Sequence, residues 1–147
     1  MEHEDMAAAF VAQAQERIRG TFIELVGIRL LSVDMDHAVA EMAFAPQLQQ
    51  LTGIFHAGAL ISLADTAATY ASLYWTGIQF EQTGQRFPLT IQLSTNLLRN
   101  TNRGIVRAEA RPVHRGRSTI VVETRLHDDQ ERLLMVVTTT HLLVASS

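Results

Sequence analysis

Between Glu41 and Glu81 the chain carries a single formally charged residue, Asp65, with His56 taken as neutral. That aspartate lies inside the segment His56 to Tyr74, HAGALISLADTAATYASLY, which reads as one long helix. Leu60, Ile61, Leu63, Ala64, Ala67, Ala68, Tyr70, Ala71 and Leu73 go round the helix instead of keeping to one stripe, the pattern of a buried helix. An ionised side chain in such a setting faces a desolvation cost of several kcal/mol unless something compensates it. Asp65 is therefore either hydrogen-bonded for structure or set in a pocket where its basicity is used.

The rest of the chain must supply the cover for that helix. With 147 residues, 47% of them hydrophobic and 18% charged, it is long enough to form one domain with a core of its own, residues 1–147, of which 1–20 form an N-terminal helical segment. The balance of 12 Lys and Arg against 15 Asp and Glu argues against a general nucleic-acid binder. The absence of cysteine removes disulfides, a thiolate nucleophile and Cys-ligated zinc. Its acidic start, MEHEDM, is unlike a secretory signal, and the longest uncharged stretch is broken by Pro46, Gly53, Gly58 and Gly77. The expectation is a cytoplasmic protein with no membrane span.

Taken in order, Asp5 to Arg19 is amphipathic, with Met6, Phe10, Ala14 and Ile18 on one side, and Phe22 to Val26 resumes after Gly20 as a short turn. Ile28–Val33 and Ala38–Phe44 alternate as two strands of a hairpin around Asp34–His37. Pro46 ends the hairpin, and Gln47–Phe55 is a Gln-rich loop with Gly53 giving it freedom before the long helix. Thr76–Pro88 reads as another loop. Four strands follow. The first, Thr90–Leu98, puts Ile91, Leu93, Thr95 and Leu97 on one face. The others are Ile105–Val113, Ser118–His127 and Leu133–Val144, joined by short polar turns that suit an antiparallel meander.

An α+β order of helix, two strands, buried helix and four strands lets a curved antiparallel sheet of five or six strands wrap the helix. From about Phe22 onward the chain resembles a hotdog fold. Within it, GIFHAGALISLADTAA resembles the thioesterases of the phenylacetate-degradation type. Their signature runs from an amide residue through Gly and His-Gly-Gly to a carboxylate nine residues after the His. Here those places hold Gln50, Gly53, His56-Ala57-Gly58 and Asp65. TIQLSTNLLRN resembles the family's third strand and puts Thr90 at the position of its assisting hydroxyl. Three departures stand out: Gln50 replaces the usual Asn, Ala57 replaces a Gly, and Asn100 stands where proline is common.

The resemblance implies hydrolysis of an acyl-CoA to a carboxylate and free CoA, with no cofactor because CoA is part of the substrate. Asp65 would be nucleophile or general base, and Gln50 would hold water or the carbonyl. Thr90 would orient either, or is a plain strand residue. Backbone N–H groups near Ala57 and Gly58, at the positive end of the helix, would face the developing oxyanion. His56 fits a role in ordering the loop and helix start better than one as a base. The remaining histidines are too scattered to suggest a metal site. Arg115, Arg117 and Ser118 form a basic turn that is either a solvated tip or a holder of CoA phosphates, and Arg99 and Asn100 are weaker candidates for the same task. Tyr70, Tyr74, Trp75 and Phe80 either shape an acyl pocket or pack the core.

Asp65 lies nine residues beyond His56, roughly 13.5 Å along a helix rising about 1.5 Å per residue. No single reacting carbon touches both ends. Two antiparallel copies of the helix across a homodimer would bring Asp65 of one near Ala57 of the other, and the resemblance implies the same arrangement, with dimers paired as tetramers. The competing functions are a hotdog dehydratase, whose His-carboxylate spacing is absent, and a non-catalytic acyl-CoA-binding or regulatory protein on the same fold.

Overall fold

The computed structural model describes residues 2–79 and 86–145. In chain order it contains α1 (His3–Arg17), α2 (Phe22–Leu25), β1 (Ile28–Val33), β2 (Ala38–Ala43), α3 (Ala57–Gln79), β3 (Arg86–Leu97), β4 (Ile105–Arg115), β5 (Thr119–His127) and β6 (Leu133–Ala145). A 3-10 turn at Pro46–Leu48 precedes α3. The six strands form one antiparallel sheet in the order β1-β2-β4-β5-β6-β3. α3 packs against every strand of it. This is the hotdog architecture expected from the pattern of elements.

The core follows from alternation. Val106, Ala108 and Ala110 of β4, and Ile120, Val122, Thr124 and Leu126 of β5, all turn inward and are buried. They meet Leu60, Leu63, Ala64, Ala67, Ala68 and Ala71 of α3, where the alanines let the helix lie close to the sheet. Phe55, fully buried, stands edge-on to Phe44 at 5.0 Å just before α3 begins. α1 lies against β1, held in part by Gln15 Nε2 donating to the Leu30 carbonyl at 2.9 Å. Phe10 meets Tyr74 and Tyr70 of α3 edge-on at 5.3 and 6.3 Å. Among the described residues no helix is long and apolar enough to cross a membrane.

Several boundaries differ from the sequence expectation. α1 begins at His3 and ends at Arg17, short of Arg19. α3 continues past Tyr74 to Gln79 where a loop was expected from Thr76. Buried Tyr74 and Thr76 hold that last stretch in place, and one glycine, Gly77, costs a helix only about 1 kcal/mol. β3 begins at Arg86, four residues before Thr90, so Pro88 lies inside a strand. Pro88 is tolerated because β3 is at the sheet's edge and, among the described residues, pairs only with β6. β4 likewise absorbs His114 and Arg115, which leaves a shorter turn. Phe80 and the loop around Gly84 lie outside the described residues.

β3 also departs from simple alternation. Its register with β6 shifts between Thr90 and Gln92, leaving Ile91 as an extra residue. Pro88 and Thr90 lie opposite the buried Leu143 and His141, whereas Leu93, Thr95 and Leu97 lie opposite the buried Thr139, Val137 and Met135. Strict alternation through Ile91, as the sequence suggested, is therefore replaced by a change of phase at the bulge.

Candidate active site

α3 is not buried all round. Ser62, Asp65, Thr66, Thr69 and Leu73 recur at three- and four-residue spacing and form a half-buried stripe. The stripe lines a cavity of about 790 Å³ between α3 and α1, closed on the other side by Phe10, Ala14 and Ile18. Tyr70 and Tyr74 also line it, as does Phe87 at the start of β3. Among the described residues Asp65 is the one carboxylate in that lining. The stripe was available in the sequence as a set of small polar residues at helical spacing around Asp65, hidden by the surrounding alanines.

Asp65 has a defined partner. The Thr90 hydroxyl donates to Asp65 Oδ1 at 2.8 Å, across from β3 to the middle of α3. The resemblance implied a hydroxyl at Thr90 assisting this carboxylate, and the two side chains are in contact. Behind Thr90 sits a residue that the sequence did not single out. His141 of β6 lies directly across the ladder from Thr90, is fully buried, and places Nδ1 3.3 Å from Thr90 Oγ1. Its Nε2 lies 2.8 Å from Thr139 Oγ1. Burial holds the imidazole below the usual histidine range, against the opposing pull of the Asp65 charge and of a hydrogen bond to the Pro88 carbonyl. The signal that finds His141 is the strand register, which no local spacing reveals.

The other end of α3 is built separately. His56 Nδ1 accepts from the Gly58 N–H at 2.8 Å, so the imidazole caps the first turn. This fits an ordering role. A Cβ on Gly58 would come within 2.9 Å of that ring nitrogen, so the ring and a larger residue cannot both keep these places. Ala57 is exposed and its φ is negative, so a methyl group is accommodated at the position where the family has glycine. Since Gly58 N–H is taken by His56, the outward donor is Ala57 N–H, which meets no acceptor among the described residues.

Gln50 lies in the turn before α3, where Gly53 adopts a φ of +89°. Its Oε1 accepts from the Thr52 hydroxyl at 2.8 Å and from the Thr52 N–H. Asn100 braces the same region: its Nδ2 donates to the Phe55 carbonyl at 2.9 Å and its Oδ1 accepts from the Thr101 N–H at 2.7 Å. That double engagement gives Asn100 the task of holding the start of α3. Within one chain, none of Gln50, His56, Ala57 or Gly58 lines the cavity that contains Asp65. The structure brings Asp65 and Thr90 together at the middle of α3, and gathers His56, Ala57 and Gly58 at its start.

The basic turn is divided. Arg115 turns inward, its guanidinium 5.8 Å over the Trp75 ring and donating to the Met35 carbonyl. Trp75 therefore packs beside Arg115 and is absent from the cavity lining. Arg117 and Ser118 are exposed, and the Arg117 carbonyl accepts from Arg86 at 2.7 Å. Arg99, two residues beyond the end of β3, is exposed, and its Nη1 donates to the Leu133 carbonyl at 3.4 Å. Among the described residues no three of His, Cys, Asp and Glu gather to hold a metal ion.

Known proteins share this fold and parts of this sequence. The Thioesterase superfamily profile matches residues 52–135, from the turn before α3 to the start of β6. The 1,4-dihydroxy-2-naphthoyl-CoA hydrolase of Listeria monocytogenes is 28% identical over 113 residues, covering 77% of this chain and 87% of its own. The structure of a mutant thioesterase PA1618 from Pseudomonas aeruginosa superposes with a TM-score of 0.84 at 26% identity, over 92% of this chain and 94% of that one. The PaaI protein of the E. coli phenylacetic acid degradation operon shares the fold with a TM-score of 0.83 over 99% of both chains, at 22% identity. Since the profile spans more than half of the sequence and the fold is shared end to end, the chain belongs to the thioesterase superfamily and has the hotdog fold.

Proposed function

We propose that this protein is an acyl-CoA thioesterase that works as a homodimer, with Asp65 as its reactive carboxylate. The observation that carries this reading is the placement of Asp65 on the wall of a largely apolar cavity, with Oδ1 fixed by Thr90 at 2.8 Å. The other carboxylate oxygen is left to face the substrate. It either takes a proton from the attacking water or attacks the thioester carbonyl itself. A single turnover in ¹⁸O-labelled water tests the second route: attack by Asp65 expels CoA thiolate and forms a mixed anhydride, and label in Asp65 shows that water opened it at the Asp65 carbonyl, whereas a general base never acquires label.

The oxyanion donor would be Ala57 N–H of a second copy. Eight residues separate Ala57 from Asp65, about 12 Å along the helix, too far for both to reach one carbon within a chain. β3 supports the dimer. It is a twelve-residue edge strand with an unpaired side, and Phe87, Leu89 and Ile91 are 44%, 49% and 54% exposed. A long apolar edge of that kind needs cover, and a second β3 running antiparallel would extend the sheet and bring the two α3 helices side by side.

The cavity favours an apolar acyl group larger than acetyl, because Phe10, Ile18, Tyr70 and Leu73 offer contact area that a two-carbon group would leave unused. The name of the Listeria relative, a hydrolase of an aromatic acyl-CoA, is consistent with that size. Arg117 is the exposed cation proposed to meet the CoA phosphates. A panel of acyl-CoAs of graded size, assayed by release of free thiol, tests the reading. Turnover that rises with acyl size supports it. Tight binding without any thiol release would favour the non-catalytic binding protein instead.

A further inference from the structure

The mechanism just described uses Asp65 and Thr90 but leaves His141 without a task, although burying a histidine between two threonines is costlier than burying an aliphatic residue. Proton bookkeeping gives it one. A threonine hydroxyl has a single proton. That of Thr90 goes to Asp65 Oδ1 at 2.8 Å, since a carboxylate can only accept. Toward His141 Nδ1, 3.3 Å away, the Thr90 oxygen can then only accept, so Nδ1 carries a proton. With one proton on a neutral ring, Nε2 is the acceptor for the Thr139 hydroxyl at 2.8 Å. The chain of donors runs Thr139 to His141 to Thr90 to Asp65, all in one direction.

We propose that His141 is a positioning residue for thioester hydrolysis, whose Nδ1–H fixes the Thr90 hydroxyl so that its proton points at Asp65. The inference rests on the thioesterase reading of the same site. His141 never touches substrate. It acts by removing the freedom of a hydroxyl rotor that would otherwise turn its proton away from the carboxylate. The strand register makes this possible, because Thr90 and His141 are opposite one another immediately before the bulge at Ile91.

Two measurements test it. In the wild-type protein, the ¹⁵N spectrum of the His141 ring should show a protonated Nδ1 and a bare Nε2 at neutral pH. The opposite tautomer, or a doubly protonated ring, overturns the proposal. In kinetics, His141→Leu should lower kcat about tenfold, the scale of one lost hydrogen bond, with KM unchanged. His141→Asn, whose amide can replace the Nδ1 donor, should restore most of that loss. In a Thr90→Val background, His141→Leu should have no further effect on kcat. The same tenfold loss in that background would show that His141 acts independently of Thr90 and would end the proposal. If His141→Leu does not fold, the tautomer and the His141→Asn rate still decide. A wild-type protein that hydrolyses no acyl-CoA would instead sink the thioesterase reading, while the nitrogen spectrum separately reports whether His141 donates to Thr90.

Discussion

At the scale of the residue, the site turns on what a carboxylate can do that its isostere cannot. Asparagine keeps the size of Asp65 and an acceptor for the Thr90 hydroxyl, but it can neither take a proton nor attack. Asp65→Asn should leave unfolding temperature and acyl-CoA affinity close to wild type while kcat falls by about a hundredfold or more. A variant that melts early but turns over normally while folded would make Asp65 structural. His141 adds a pH signature. Its proton affinity is lowered in the folded protein, first by burial, while the unfolded chain titrates near 6.5. Above that pH both states are neutral and the histidine is without effect. As pH falls below it the unfolded chain takes up a proton first, so stability declines until the folded-state value is passed. Urea titrations of wild type and His141→Asn should diverge in that window and run parallel above it. Asp65 stood out in the sequence as the lone charge of an apolar helix, and Thr90 entered only through the resemblance of its strand to the family's. His141 was not legible there, because 51 residues separate it from Thr90 and only the β3–β6 register joins them.

At the scale of the element, α3 has two duties that its sequence keeps apart. Its first turn is closed by His56, and its middle carries the polar stripe. Gly58→Ala should weaken the first turn, because the added Cβ meets the His56 ring at 2.9 Å and dislodges the cap, a loss of about 1 kcal/mol. Thermal unfolding of Gly58→Ala beside Ala57→Gly checks this, and equal effects from the two would contradict the capping account. The stripe faces α1 across the cavity, so its size should set the acyl preference. Leu73→Trp adds bulk to the lining and should cut kcat/KM for large acyl-CoAs about tenfold or more while sparing short ones. A uniform loss for all chain lengths would move the acyl group out of this cavity. The helix itself was readable from its run of alanines and leucines. Its true end at Gln79 was not, since Gly77 suggested a break that buried Tyr74 and Thr76 override.

At the scale of the whole molecule, the proposed site draws its two halves from different copies, and that division can be tested without a structure of the dimer. One half is Asp65 with Thr90. The other is the turn carrying Gln50 and the start of α3 with Ala57. Asp65→Asn disables the first half and leaves the second intact, whereas Gln50→Ala does the reverse. Each homodimer alone should be nearly inactive. In a mixed dimer, one site draws both substitutions together and is doubly broken, while the other combines the intact Asp65 of one chain with the intact Gln50 of its neighbour. Random exchange makes half of the dimers mixed, each with one of two sites restored, so co-refolded equimolar variants should recover about a quarter of wild-type activity. A site formed within one chain allows no such rescue, because every chain in the mixture carries a defect. Recovery should also require the β3 edge. Placing a charge there, as in Ile91→Lys, should give monomers in sedimentation and abolish complementation. An active Ile91→Lys monomer, or a mixture that stays dead although native gels show mixed dimers, would place the whole site within one chain and overturn the shared-site account.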